Sequence, residues 1–172
     1  MIYMVDHVYT DPATEQAWHD WYAAYLRKLV SVPGIHTAQR FKAIGCTPSR
    51  YLAMYSIDSE DVYSSEPYKN MGGGGSQSAR FHSAYQLWTR NLFDGASRAP
   101  VVQGAQRVLV FDRDERGGNG PLVSRAVWLE AIGLHMSTKY RAFVVLDAEE
   151  AVTAADVPGS YLYEPFTPAL VA

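Results

Sequence analysis

Between Ile2 and Tyr9 the residues are apolar, aromatic or β-branched apart from Asp6 and His7. The run predicts a strand with Tyr3, Val5, His7 and Tyr9 on one face and Ile2, Met4, Asp6 and Val8 on the other. Neither face is polar enough to lie fully in water, so both are expected to be at least half buried. Asp11-Pro12 then supplies an N-cap and the residue preferred in a first helical turn, and helical periodicity continues to about Val30. At about 100° per residue, Trp18, Tyr22, Tyr25 and Leu29 form one stripe with Trp21 and Leu26 beside it. Val32-Pro33-Gly34 stops that helix.

Ile35 to Ala43 and Tyr51 to Ile57 predict two strands joined through the turn-rich Gly45–Ser49. Residues 58–75 carry Pro67 and four consecutive glycines and read as irregular. Ser76 or Ser78 then offers a cap for a second helix over 77–93, with Phe81, Tyr85, Trp88 and Leu92 as its buried stripe. Strand, helix, strand, strand, helix is the order of a ferredoxin-like α+β unit, an antiparallel sheet with its helices on one face. On that plan His19 and His82, each about 80° off its stripe, sit on outer, solvated flanks and point apart. The groove between the helices would hold Ala17, Trp21, Ala84 and Asn91.

Further along, Gln106–Asp112 reads as a strand, 114–121 as a loop, Leu122–Leu134 as a helix around Trp128, and Tyr140–Asp147 and Ser160–Phe166 as strands. The expected division is a ferredoxin-like unit over 1–95, a connector over 96–104, and a reduced, degenerate second ferredoxin-like unit over 105–172 packed on the first. Only Val-Pro-Gly, at 32–34 and again at 157–159, recurs as a string.

The run Trp18-His19-Asp20-Trp21-Tyr22, the stop Leu29-Val30-Ser31-Val32-Pro33-Gly34-Ile35 and the strand Ala38-Gln39-Arg40-Phe41 resemble the EthD-like branch of the dimeric α+β barrel superfamily. So do Trp88 to Asp94 and Trp128-Leu129-Glu130-Ala131. The resemblance implies units that pair through their sheets, either as a homodimer or as a pseudo-dimer within one chain. It also implies activities ranging over cofactor-free monooxygenases, isomerases, cyclases, lyases and haem enzymes. In that branch an acidic residue and a histidine often follow the Trp-Tyr pair. Ala23 to Leu26 stand there in this chain, with Tyr25 as the polar member.

Composition narrows the chemistry. With 48% hydrophobic and 19% charged residues among 172, the chain can bury a core, and its 12 Tyr, 6 Phe and 4 Trp suit a packed interior or an apolar pocket wall. A net charge of −3 with scattered basic residues argues against nucleic acid. No apolar run reaches the roughly 18 residues of a membrane span, and the N-terminus lacks a basic, cleavable leader, so the expectation is a cytoplasmic protein. The lone Cys46 excludes an internal disulfide.

No HxxxH, HxxE or HxH spacing suggests a metal, the weak remaining option being His7 and His36 with a carboxylate. No dinucleotide fingerprint occurs, and no cofactor is expected, although bare amides at Gly72–Gly75 could cradle a carboxylate. What remains is acid–base chemistry on a small hydrophobic or aromatic metabolite. His7 is the candidate base, Tyr25 and His82 are candidate hydrogen-bond donors, and Trp21, Tyr22, Tyr85, Trp88 and His19 are candidate substrate contacts. The expected reaction is a cofactor-independent dehydration, decarboxylation, isomerisation or ring closure. The alternatives are a cofactor-free monooxygenase of a phenol or quinol, or a binding protein without turnover.

Overall fold

A computed structural model describes residues 1–73, 75–147, 150 and 158–172. Gly74 of the glycine run and Val157 of the recurring Val-Pro-Gly therefore lie outside the described residues. The elements are β1 (Ile2–Tyr9), α1 (Glu15–Leu29), β2 (Ile35–Ile44), β3 (Tyr51–Ile57), α2 (Glu66–Asn70), β4 (Tyr85–Asp94), β5 (Arg107–Arg113), α3 (Pro121–Ser124), β6 (Val127–Leu134), β7 (Tyr140–Leu146), β8 (Ser160–Pro165) and β9 (Leu170–Val171). Short 3-10 turns at Glu60–Ser64 and Ser76–Ala84 flank α2.

Strands neighbour one another in the order β3-β1-β4-β6-β7-β5-β8-β2, and β2 pairs back onto β3. Every pairing is antiparallel, so eight strands close a barrel, and β9 adds two residues to β2 beyond the end of β8. This corrects the expected fold class. The molecule is a closed antiparallel β-barrel with few helices, not a ferredoxin-like α+β sheet carrying helices on one face. Within the ring the first four strands lie in the order β2-β3-β1-β4 and the next four in the same relative order, β6-β7-β5-β8.

Two segments account for the difference. Residues 77–93, expected as one helix, form a 3-10 turn followed by β4, and 122–134, expected as a helix, form one turn of α3 and then β6. A barrel strand is covered on both faces wherever a helix or loop packs outside, so the polar–apolar alternation that marks a strand is blurred. Trp88 and Leu92 still share one face of β4, and they join Phe81 in the outer core, which is why the spacing mimicked a helical stripe.

The period-2 reading of β1 holds. Ile2 and Met4 point into the barrel with Phe41, Leu52, Phe93 and Val110, whereas Val5 and Tyr9 point outward against Trp18, Tyr22, Leu26 and Leu29 of α1. Residues 96–104, the expected connector, run from β4 toward β5. Ala99 and Val102 pack with the barrel interior, and Gln39 bonds both the Val102 carbonyl (2.7 Å) and its amide (3.1 Å), so this segment plugs one end of the barrel. The other end is polar, with Arg141 bonded to Asp6 at 2.9 Å and to Asp112 at 2.7 and 2.9 Å.

Candidate functional site

α1 lies across the outside of β1, β3 and β2, and a cavity of about 80 Å³ remains between it and the barrel wall. From the wall come Tyr3, Val5, His7, Tyr55, Trp88 and Arg90, the outward residues of β1, β3 and β4. The helix supplies Trp21, Tyr22, Tyr25 and Leu29. Tyr63, Tyr68, Gly72, Gly75, Gln77 and Ser78 form the roof, and Tyr85 closes one side. Strand alternation and helical spacing thus aim two sets of rings at one space.

One pair of phenol tips meets directly, and the other rings pack face or edge against one another. Tyr22 and Tyr55 hydroxyls meet at 2.8 Å, the Tyr3 ring stacks on Tyr55 at 5.3 Å and tilts against Tyr63 at 5.0 Å, and Tyr25 stacks on Trp21 at 5.2 Å. Burial pushes the Tyr3, Tyr22, Tyr25 and Tyr55 hydroxyls up from the usual phenol range, and Tyr85 up to about 12. They are neutral donors at physiological pH. Trp18 Nε1 fixes Tyr85 by donating to its hydroxyl at 3.1 Å.

His7 is 3% exposed and ringed by Trp18, Tyr22 and Tyr85 at 5.4–5.6 Å. Burial first, and the Arg40 charge second, lower its pKa to about 3, against a smaller opposing pull from the Val5 carbonyl. The imidazole is therefore neutral at the cavity, a hydrogen-bonding group and a weak base. His82 does not line the cavity. It stacks against Tyr85 and Trp88 at 5.3 and 5.2 Å, and its Nε2 lies 2.7 Å from Oγ of Ser78, which does line it.

His19 is elsewhere and is not solvated as the helical-flank geometry suggested. Arg40, 1% exposed, donates from Nη2 to His19 Nδ1 at 3.2 Å. That places the ring proton on Nε2, which faces the Tyr51 hydroxyl at 3.2 Å, and Tyr51 in turn donates to Glu15 Oε1 at 2.6 Å. A buried guanidinium is thereby linked through two neutral side chains to a carboxylate. Its flat faces meet Tyr22 at 4.0 Å and Trp18 at 4.6 Å. His19 serves this chain rather than the cavity. Burial and Arg40 together lower its pKa to about 4.

Of the expected site residues, His7, Trp21, Tyr22, Tyr25, Tyr85 and Trp88 come together around the cavity, His82 reaches it through Ser78, and His19 does not reach it. Asn91, expected between two helices, is buried in the barrel and bonds Ser137 through its side-chain amide at 2.8 and 2.9 Å. Sequence reasoning passed over Tyr3, Tyr55, Tyr63, Tyr68 and Arg90. Their signal was available: Tyr3 shares the β1 face of His7, and Arg90 shares the spacing of Trp88 and Leu92. His36 bonds exposed Asp58 at 2.6 Å and is not among the groups around His7. Among the described residues, no group of three or more His, Cys, Asp or Glu is arranged to hold a metal, and no helix is long and apolar enough to cross a membrane.

Neither a protein-family model nor a curated protein sequence matches the chain. A solved structure described as "Crystal structure study of anthrone oxidase-like protein" is similar in fold, with a TM-score of 0.56 and 13% identity, covering 99% of this chain and 92% of that one. This finding corrects the resemblance to the EthD-like, ferredoxin-like dimeric α+β barrel: the likeness in three dimensions is to the anthrone oxidase-like fold.

Proposed function

We propose that this protein is a cofactor-independent enzyme acting on a small aromatic phenol or enol held in the cavity between α1 and the barrel, with proton removal from that guest as the committing step. The observation that carries the reading is the cavity wall itself. Rings from β1, β3, β4 and α1 enclose a space whose phenol tips are neutral donors, which suits stacking of a flat guest and hydrogen bonding to an oxygen that gains charge.

Two groups can receive the proton. His7 is the nearer but is held near pKa 3, so it orients better than it deprotonates. The other route runs through Ser78, whose single hydroxyl proton faces either the Gly75 carbonyl at 2.9 Å or His82 Nε2 at 2.7 Å. With the hydroxyl turned to His82, Ser78 Oγ is free to accept from a guest, and a proton passes on to the imidazole. The anion left behind then eliminates, isomerises or closes a ring.

Oxygenation of that anion is the second reading, favoured by the fold likeness to the anthrone oxidase-like protein. Size bears on both. A cavity of about 150 Å³ accommodates one benzene ring, so at about 80 Å³ a guest ring enters only as roof side chains such as Tyr68 and Gln77 give outward. A single-ring guest fits this better than a fused-ring one. The test is a panel of single-ring phenols, hydroquinones and enolisable ketones, followed spectroscopically with an oxygen electrode in parallel. Conversion without oxygen uptake supports the lyase or isomerase reading, and uptake with conversion supports oxygenation. No binding by any member of the panel sinks the proposal.

A further inference from the structure

Arg90 is the one charged side chain among the described residues that line the cavity. It stands on the outer face of β4, two residues from Trp88, and its guanidinium lies 4.8 Å over the Trp88 ring. Its Nε is buried without a hydrogen-bond partner. Among the described residues it makes no ion pair, unlike Arg50, Arg107, Arg116, Arg125 and Arg141. Among the described residues its side chain has one contact of hydrogen-bonding type, to His135, and that contact is compromised. The Arg90 backbone amide donates to His135 Nδ1 at 3.2 Å, which leaves the ring proton on Nε2, so the approach of Nη2 to Nε2 at 3.4 Å brings two donors together.

An unpaired guanidinium with a buried, orphaned N–H beside an aromatic cavity has unused capacity for an anionic oxygen. We propose that Arg90 pairs with the oxygen of the guest's anionic form, the phenolate or enolate that proton removal leaves, so that the cavity favours the ionised guest. The proposal rests on the reading of the cavity as an aromatic site and makes Arg90 the residue that selects acidic guests. Trp88 packs against the guanidinium and Tyr3 lines the same cavity, and a neutral guest of similar shape leaves the orphaned N–H unsatisfied. Arg40 also has a buried nitrogen, Nη1, without a partner, but it is outside the cavity lining and its Nη2 is tied to His19, so it does not compete for this role.

The test uses 4-nitrophenol and its methyl ether 4-nitroanisole, of which only the first ionises, with binding read by quenching of tryptophan fluorescence. For the native protein the nitrophenolate is expected to bind roughly tenfold or more tighter than nitroanisole, the scale of a charge-assisted hydrogen bond. The nitrophenolate absorption band should also emerge at least one pH unit lower when bound than when free. In Arg90→Gln the preference and the spectral shift should both vanish while nitroanisole binding persists, which also reports that the variant is folded. Arg90→Lys should retain part of each. Nitroanisole binding with no preference for the phenolate, or a preference unchanged in Arg90→Gln, overturns this inference alone. Failure of both probes to bind overturns the aromatic-cavity reading and this inference with it.

Discussion

At the scale of single residues, the site's electrostatics are set by where protons are refused. His7 and His19 hold pKa values of about 3 and about 4 in the folded protein, whereas in the unfolded chain each imidazole has its ordinary value near 6.5. Between those limits the unfolded chain binds protons that the folded one excludes, so stability is full above about pH 6.5 and declines as pH falls toward 4 and 3. Asp6, whose carboxyl burial pushes up, works in the opposite sense, one group against two. The urea midpoint is therefore expected to drop between pH 7.5 and pH 5, and a midpoint that stays level or rises would show the two rings to be charged or open to water. The Arg40 charge is the second cause at both rings. In Arg40→Met the His19 ring signals in an NMR titration should move to a higher pKa, and those of His7 with them. The Tyr22–Tyr55 pair makes a separate test. Either Tyr→Phe change strands one buried hydroxyl and should cost about 1–3 kcal/mol, while the double change should cost clearly less than the sum. Denaturant unfolding of the three variants reads the coupling. None of this pairing was visible in the sequence, because Arg40 and His19 are 21 residues apart and meet only through the packing of α1 on β2.

At the scale of elements, what could be read depended on whether a segment's two faces differ. α1 has one buried stripe and one wet face, and its C-terminal limit and its buried Trp18, Tyr22 and Leu29 were legible from spacing, whereas it begins at Glu15, about one turn after the expected Asp11-Pro12 start. β1 was legible because eight residues without a helical gap in polarity leave only the extended reading. β4 was not. Trp88, Arg90 and Leu92 face α1 and the cavity, Thr89 and Asn91 face the polar part of the barrel interior, and the mixture of polar and apolar residues on both faces cancels the period-2 signal. β6 suffered likewise, though Gly133 inside a supposed helix was a contrary sign. The turn out of β4 offers an element-level prediction. Gly95 has φ +116°, and a Cβ there would run into the Trp128 carbonyl oxygen and approach Leu129 Cα at 3.2 Å, both backbone atoms of β6. Gly95→Ala should therefore loosen the β4–β6 seam and cost about 2–4 kcal/mol. Gly45 has φ +86° with open space around it, so Gly45→Ala should cost only about 1 kcal/mol from backbone strain. Equal losses from the two substitutions, measured by thermal unfolding, would remove β6 contact as the reason.

At the scale of the whole molecule, the barrel is one object because its two sets of strands are joined at β4–β6 and β2–β8 and linked again inside. Arg141 on β7 is 5% exposed and bridges Asp6 on β1 and Asp112 on β5 across the polar end of the barrel, while residues 96–104 plug the other. Asp6 shares its strand with His7 and points the opposite way, so the same eight residues carry the barrel's internal tie and the wall of the outer cavity. Removing one partner of a buried ion pair strands the other, at about 3–5 kcal/mol, whereas replacing the set with apolar groups of similar volume is far milder. Arg141→Met is therefore expected to destabilise strongly, because Asp6 is then left buried and unpaired beside Tyr163. Adding Asp6→Leu to Arg141→Met should recover much of that loss. Because β1 transmits any shift of Asp6 to the backbone of His7 and Val5, Arg141→Met should also weaken binding of a neutral aromatic probe such as 4-nitroanisole, and the second substitution should restore it. Stability regained without binding would mean that the barrel interior and the cavity outside it are mechanically independent, and the wall of the site would then have to be set by α1 alone.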